Sequence, residues 1–330
     1  MTKLPRLETH LSLRHLTLID AIAREGTLLG ASQSVGLTQS AVTKALQEAE
    51  SVTQTRLFDR TNRGVHPTQA GEVLVAHARL VLTQLRHAGQ ELEDLRSGSG
   101  GRVAVGVLVS AAVSILPTAI AAVRQKRPNL AVKVIEGTND VLMPQLRAGE
   151  LDLVIGRLPA FSSGSGIAEE TLCEDYAQIV VRLGHPLLQR EGLELADLMD
   201  QPWILPRQET SLRRQIDEGF RQQGLRAPAN IVESVSILTN RALVLRADYL
   251  AVWPVQLARF EANLGLVKAL DIPLPTTERP IGISTRRDAR LSPAAETLIG
   301  ALRHAATGST WQAAPENANT KLSASNEGIR

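Results

Sequence analysis

The chain has 330 residues, a formal net charge of +2 and one cysteine, Cys173, which excludes an intramolecular disulfide or a multi-cysteine zinc site and fits a reducing compartment. Hydrophobic residues make up 43% and aromatic residues only 3%, so the chain can fold but must fill its cores with Leu, Ile, Val and Ala; its length suits two or three domains. Net charge alone makes no case for nucleic acid, because residues 1–66 hold eight Lys or Arg against six Asp or Glu. Any DNA contact must rest on local placement of charge. No apolar run approaches the roughly 20 residues that span a bilayer. The opening "MTKLPRLETHLSLRHL" carries charges where an export signal needs its apolar stretch. A soluble, cytoplasmic protein without a membrane partner is expected.

The first pattern, "LSLRHLTLIDAIAREGT", places Leu13, Leu16, Ile19 and Ala23 on one helical face, and Gly26 stops it. Thr27 is placed to cap a second helix from Leu28 to Val35. Gly36 and Leu37 make a tight turn, and Thr38 caps a third helix from Gln39 to Glu50. Ala31 is small enough to let two helices cross closely, and Val42, Ala45, Leu46 and Ala49 form the third helix's inner side. That leaves Gln39, Ser40, Thr43, Lys44 and Gln47 outward, beside the cap Thr38. Gln and Ser suit base edges, Thr and Lys suit phosphates, and such a third helix fits a major groove. A solvated helical hairpin is the plain alternative. What tips the balance is "LFDRTNRGVHPT", residues 57–68, which reads as a β-hairpin wing with Arg60 and Arg63 around its turn.

From Thr68 to Arg96 there is no proline, and Leu74, Ala78, Val81, Leu85, Ala88, Leu92 and Leu95 recur at alternating spacings of four and three. This heptad seam predicts a helix that pairs with a second copy, which would give two reading heads for two half-sites. "RSGSGGRVAVG" follows, with its glycines before the strand rather than after it. They read as a linker and not as a phosphate loop.

Beyond Arg102 strands and helices alternate: "RVAVGVLV", "ILPTAIAAVRQKRP", "LAVKVIEG", "DVLMPQLRAGE", "LDLVIGRL". A second block runs "QIVVRLGHPL", "PWILP", "SLRRQIDEGFRQQG", "ANIVESV", "ILTNRALVLRA" and "YLAVWPV", and "RPIGISTRR" with "SPAAETLIGALRHA" closes the fold. The repeats predict parallel sheets in two α/β lobes with a ligand cleft between them. The last stretch, from residue 306 to 330, is polar and aperiodic, and disorder is expected there.

This order of parts resembles the LysR-type transcriptional regulators over about residues 11–305, most specifically in "GLTQSAVTKALQEAE" and "LFDRTNRGVHPTQAG". The family usually has proline where this chain has Ser40, and its usual Leu-Gly before the apolar anchor is altered in "SVTQTRLF". The resemblance implies a winged helix-turn-helix (11–68), a linker and dimerisation helix (69–96), a flexible linker (97–101) and a periplasmic-binding-protein-like effector domain of two α/β lobes (102–305). It implies a homotetramer, built as a dimer of dimers, that binds double-stranded promoter DNA and activates or represses transcription. It also leaves room for a contact with RNA polymerase. The effector half resembles a subgroup concerned with sugar uptake and aromatic-acid breakdown, so a sugar or a carboxylate or aromatic acid is the expected effector. The effector positions carried over are Ser110, Thr138, Pro206, Arg207 and Ser234. Each falls at a strand's carboxyl end, where helix N-termini favour an anion.

No cofactor or metal is expected, and no enzyme: "HExxH", a Walker loop and "GxSxG" are missing. Cys173 reads as a core thiol, and His66 and His77 as surface or packing residues. The competing function is a cytoplasmic solute-binding protein or enzyme built on the α/β lobes alone.

Overall fold

The computed structural model describes residues 7–61, 64–97, 100–159, 166–287 and 289–307. They cluster into two compact units that divide at residues 99–100, with 147–150 grouped with the first.

The first unit opens with a single turn, α1 (Leu7–His10), and then α2 (Leu13–Glu25). Ser12 caps α2 in a reciprocal arrangement: its hydroxyl accepts from the N–H of His15 at 3.3 Å, and its own N–H donates to Nδ1 of His15 at 3.2 Å. Gly26 ends the helix at φ +65°, a conformation that side chains resist. The next helix, α3 (Leu28–Ser34), is capped by Thr27. Gly36, also left-handed, then turns the chain into α4 (Gln39–Thr53), capped by Thr38. Ile19, Ile22, Ala31, Val42, Leu46 and Ala49 form the centre of this core. The buried stripe of α2 is Leu18, Ile19, Ala21 and Ile22, so Leu13, expected inward, is exposed. The stripe is shifted toward the middle and last turns of α2, where Leu18, Ile19, Ala21 and Ile22 enter the core.

The wing is an antiparallel pair, β1 (Phe58–Thr61) and β2 (Gly64–Pro67), with Phe58 opposite Pro67 and Thr61 opposite Gly64. It is pinned at three places. The N–H of Leu57 donates to Oε1 of Glu50 at 2.8 Å, that of Val65 to the Gly26 carbonyl at 2.8 Å, and that of Thr68 to the Leu57 carbonyl at 2.9 Å. α5 (Gln69–Ser97) follows, 29 residues long. Its first turns bury Val75 against this core, and Ala78 is buried one turn further on. Further along, the seam residues Val81, Leu85 and Leu92 are exposed by 41%, 48% and 63%.

The second unit holds two five-stranded sheets. In chain order its elements begin with β3 (Arg102–Val107), α6 (Val109–Ala112), α7 (Ile115–Lys126), β4 (Ala131–Glu136), α8 (Asn139–Arg147), β5 (Leu153–Arg157) and β6 (Ile167–Cys173). The chain then passes to the second lobe for β7 (Ala177–Arg182), β8 (Trp203–Leu205), α9 (Ser211–Gln222), β9 (Ile231–Glu233), α10 (Ile237–Arg246), β10 (Leu250–Pro254), α11 (Val255–Asn263) and β11 (Val267–Ala269). It returns for β12 (Ile281–Arg286) and α12 (Pro293–Thr307). The first sheet runs β4-β3-β5-β12-β6 and the second β11-β7-β10-β8-β9.

Both sheets are mixed, which corrects the expectation of parallel ones. β3 pairs in parallel with β4 and β5, and β8 with β9 and β10. β12 is antiparallel to β5 and β6, and β7 to β10 and β11. The antiparallel strands are those next to the two crossovers, residues 174–176 and 270–280. A strand arriving from the other lobe is not delivered by a βαβ turn, so the rule for parallel crossovers does not govern it. β6, α11 and β11 were not expected. Val255, expected in a strand, opens α11 directly after Pro254. The predicted tail beyond Thr307 lies outside the described residues, as do Asn62 and Arg63 of the wing turn and two residues of the 97–101 linker. Among the described residues, no helix is long and apolar enough to cross a membrane.

Candidate nucleic-acid interface and effector cleft

α4 is amphipathic in the required sense. Val42, Ala45, Leu46 and Ala49 are buried, while Gln39, Ser40, Lys44 and Gln47 are exposed and Thr43 is half-buried. The outward residues are not equally available. Thr38 Oγ1 accepts from the N–H of Ala41 at 3.2 Å and lies 3.0 Å from Ser40 Oγ. Thr43 donates its hydroxyl to the Gln39 carbonyl at 2.9 Å and must give up that bond to reach a phosphate. Lys44 is exposed and meets Glu48 at 3.9 Å, a loose contact that leaves it able to swing. Glu48 also meets His15 Nε2 at 3.3 Å, which ties α4 to α2. Arg60 is exposed on β1; Arg63 lies outside the described residues. Replacing Lys44 with Ala should weaken binding to every duplex and reduce the slope of log affinity against log salt by about one, read from binding titrations at several salt concentrations.

The second candidate site lies where the two lobes of the second unit face each other. Ser110 is fully buried in α6, and its Oγ accepts from the N–H of Arg157 at 3.2 Å. Thr138 is half-buried, and its carbonyl accepts from the N–H groups of Val141 and Leu142, opening α8. Across from them, the Pro206 carbonyl accepts from Nη1 of Arg213 at 3.1 Å. Ser234 lies beside Pro206, because its N–H donates to the Leu205 carbonyl, and its Oγ accepts from the N–H of Ser236 at 3.1 Å. Arg207 reaches over to Asp140, 3.7 Å away on α8, so the two rims are within ion-pair distance. Ser110 and Thr138 therefore follow β3 and β4 in one lobe, and Pro206, Arg207 and Ser234 follow β8 and β9 in the other. A cavity of about 470 Å³ lies elsewhere, among Ala168, Ile283, Leu291, Ile299 and Arg303.

The carried-over positions missed a cluster of buried and half-buried polar side chains nearby. Arg157 ends β5, Asp175 lies on the first crossover, Gln215 on α9, and Thr277 on the second crossover. Arg157 was findable, since it ends the strand "LDLVIGR" as Ser110 follows "RVAVGV". Burial lowers the pKa of Arg157, against the pull of Asp175. Burial pushes the Asp175 carboxyl up to about 7. Burial, then the carboxylates of Asp175 and Glu174, raise the half-buried Cys173 thiol to about 11, which leaves little thiolate for nucleophilic chemistry. For Arg213, burial works against its charge, but the hydrogen bonds it donates to the Asp217 and Glu233 carboxylates prevail and raise its pKa.

A two-lobed α/β body joined in sequence to a winged helix-turn-helix is the layout of a ligand-responsive DNA-binding regulator. Residues 13–72 match the family model described as bacterial regulatory helix-turn-helix protein, lysR family, and residues 96–307 match that of the LysR substrate binding domain. The chain is 34% identical over 300 residues to the HTH-type transcriptional regulator GbpR of Azospirillum brasilense, covering 91% of this chain and 88% of that one. It is 31% identical to the HTH-type transcriptional regulator PcaQ of Agrobacterium fabrum, covering 91% and 96%. Its fold is like that of CbnR, a LysR family transcriptional regulator, with a TM-score of 0.62 at 20% identity, over 90% of this chain and all of that one. The chain belongs to the LysR family of DNA-binding transcriptional regulators with an effector-binding domain.

Proposed function

We propose that the chain acts in the cytoplasm as a homotetramer, a dimer of dimers, that reads a promoter with α4 and the wing and changes its output when a small anion enters between the lobes. Residues 11–68 are the reading head, 69–96 the pairing helix, 97–101 the joint and 102–305 the effector lobes. The observation that carries this is the two-sidedness of α4: a closed apolar stripe inside, and Gln39, Ser40, Lys44 and Gln47 outside. In a lone helical hairpin that outer face would need only to be soluble; Gln and Ser at its first turn also match base edges. Ser110, Thr138, Pro206, Arg207 and Ser234 line the effector's place, with hydroxyls and an arginine for carboxylate or sugar oxygens. A carboxylate or aromatic acid, or a sugar, is the effector class, and genes for its uptake or breakdown are the targets. RNA polymerase is the further partner on the promoter.

The test is selection of duplexes from a random pool by the full-length protein. Enrichment of two related half-sites, their centres about 10 base pairs or a multiple apart, is expected. A pool that stays random, with binding that depends on salt alone, would overturn the reading.

A further inference from the structure

Arg157 is where both crossovers and the second lobe meet. Its Nη2 donates to the Thr277 carbonyl and, at 3.3 Å, to Oε1 of Gln215. Its Nε lies 3.7 Å from Oδ2 of Asp175. Arg157 is 7% exposed and Asp175 is 1% exposed. The bonding is incomplete: Nη1 of Arg157, Nε2 of Gln215 and both carboxylate oxygens of Asp175 are buried without a hydrogen-bond partner.

Stranded donors and acceptors in one buried cluster are costly, and here they are complementary. A guanidinium presents a fork of N–H donors that fits a carboxylate bidentately, yet here Nη2 is spent on Thr277 and Gln215, Nη1 is stranded and Nε stands 3.7 Å from Asp175. A second arrangement is therefore at hand, in which Arg157 turns its fork to Asp175. The proton on Asp175 decides between the two. Burial raises its pKa, and the charges of Arg157 and of Arg259 on α11, with the dipoles of the nearby Tyr176 and Val255 N–H groups, which lie outside hydrogen-bond geometry to the carboxylate, oppose the rise. Arg279 on the second crossover acts on Arg157, and Cys173 and Glu174 stand on Asp175's own segment.

We infer that Asp175 and Arg157 form a proton-dependent latch across the two crossovers. With Asp175 neutral, Arg157 ties β5 to α9 through Gln215. When Asp175 ionises, one proton passes to solvent, the carboxylate takes the guanidinium fork, and the tie to Gln215 is released. The lobes then settle at a different angle. This rests on the proposed function only in its consequence: proton and effector bias the same pair of lobe arrangements, so effector affinity varies with pH.

The test uses the full-length protein without DNA or effector. A keto-bearing amino acid replaces the exposed Gln125 on α7 and Gln222 on α9, and both are labelled with dyes for energy transfer. Excess unlabelled chain isolates distances within one chain. The parent should switch between two separations over about two pH units centred near 7. Asp175→Asn should hold the low-pH separation throughout. Arg157→Gln, which removes the opposing charge, should move any remaining midpoint up by about one unit or more. A parent separation that ignores pH, or an Asp175→Asn variant that titrates like the parent, would overturn the latch. Duplex binding by the same samples is scored separately, so loss of the latch leaves the regulatory reading standing.

Thermal unfolding supplies a second readout. A carboxyl whose folded pKa is raised contributes stability that is fully present below the unfolded value of about 3.9 and is lost as pH rises through the folded one. The parent's stability should therefore decline between about pH 4 and about pH 7, and Asp175→Asn should flatten that decline.

Discussion

Glutamate at both Leu85 and Leu92 should leave each chain's helix-turn-helix folded while separating the paired chains, and operator affinity should fall by about 10²- to 10⁴-fold. Both side chains are exposed on α5, beyond the turns in which Val75 and Ala78 are buried in the chain's own core. Exposed residues contribute little to the monomer, so stability measured on the separated chain should change by less than about 0.5 kcal/mol. At a pairing seam the same residues face each other, and four glutamates brought together there repel and lose their hydration. The affinity loss follows from tethering: once one head is bound, the second binds from an effective concentration set by the rod that joins them. Sedimentation velocity and titration against a selected duplex check the two halves of this expectation. An intact dimer carrying both substitutions would place the seam elsewhere.

The second large effect is expected at Gly71, in the first turn of α5. A Cβ there would sit 1.9 Å from the Leu57 carbonyl oxygen and 3.2 Å from Pro67 Cβ. The first of these is backbone, and that carbonyl already accepts from the N–H of Thr68 at 2.9 Å. A flexible side chain could swing aside; this strand base cannot move without pulling Leu57 away from Glu50. Gly71→Ala should therefore cost about 3 kcal/mol, the upper end for overpacking, and displace the wing. Unfolding of the parent and variant by denaturant measures the cost. Hydrogen exchange at Val65, whose N–H is bonded to the Gly26 carbonyl, shows whether the wing has come loose.

Much of the first unit could be read in advance because its determinants are local. Thr27, Gly36 and Thr38 act on neighbours within three residues, and the inner stripe of α4 follows from helical spacing alone. The face of α2 was misplaced at Leu13, because which part of an apolar helix is covered depends on the elements that arrive later. In the second unit the strands with apolar runs were legible. β6, "IAEETLC", was not: its adjacent glutamates break any apolar alternation, it lies at the edge of a sheet, and nothing in the segment itself says that β12 will pair with it. α11 was hidden because Pro254 ends a strand and begins a helix with no loop between them. The cleft positions were reachable one at a time from strand ends. The latch was not, since Arg157, Asp175, Gln215 and Thr277 are spread over 120 residues of sequence and only the two crossovers bring them together.

The central claim is that the outer face of α4 reads base sequence. Its most direct test is the ratio of affinities of the full-length protein for a selected duplex and a scrambled one, measured at one salt concentration for the parent and for Gln39→Ala. The account predicts that removing Gln39 costs about 1–3 kcal/mol on the selected duplex and almost nothing on the scrambled one, so the ratio shrinks by about 5- to 150-fold. A ratio equal to the parent's, with Gln39 gone, would contradict it.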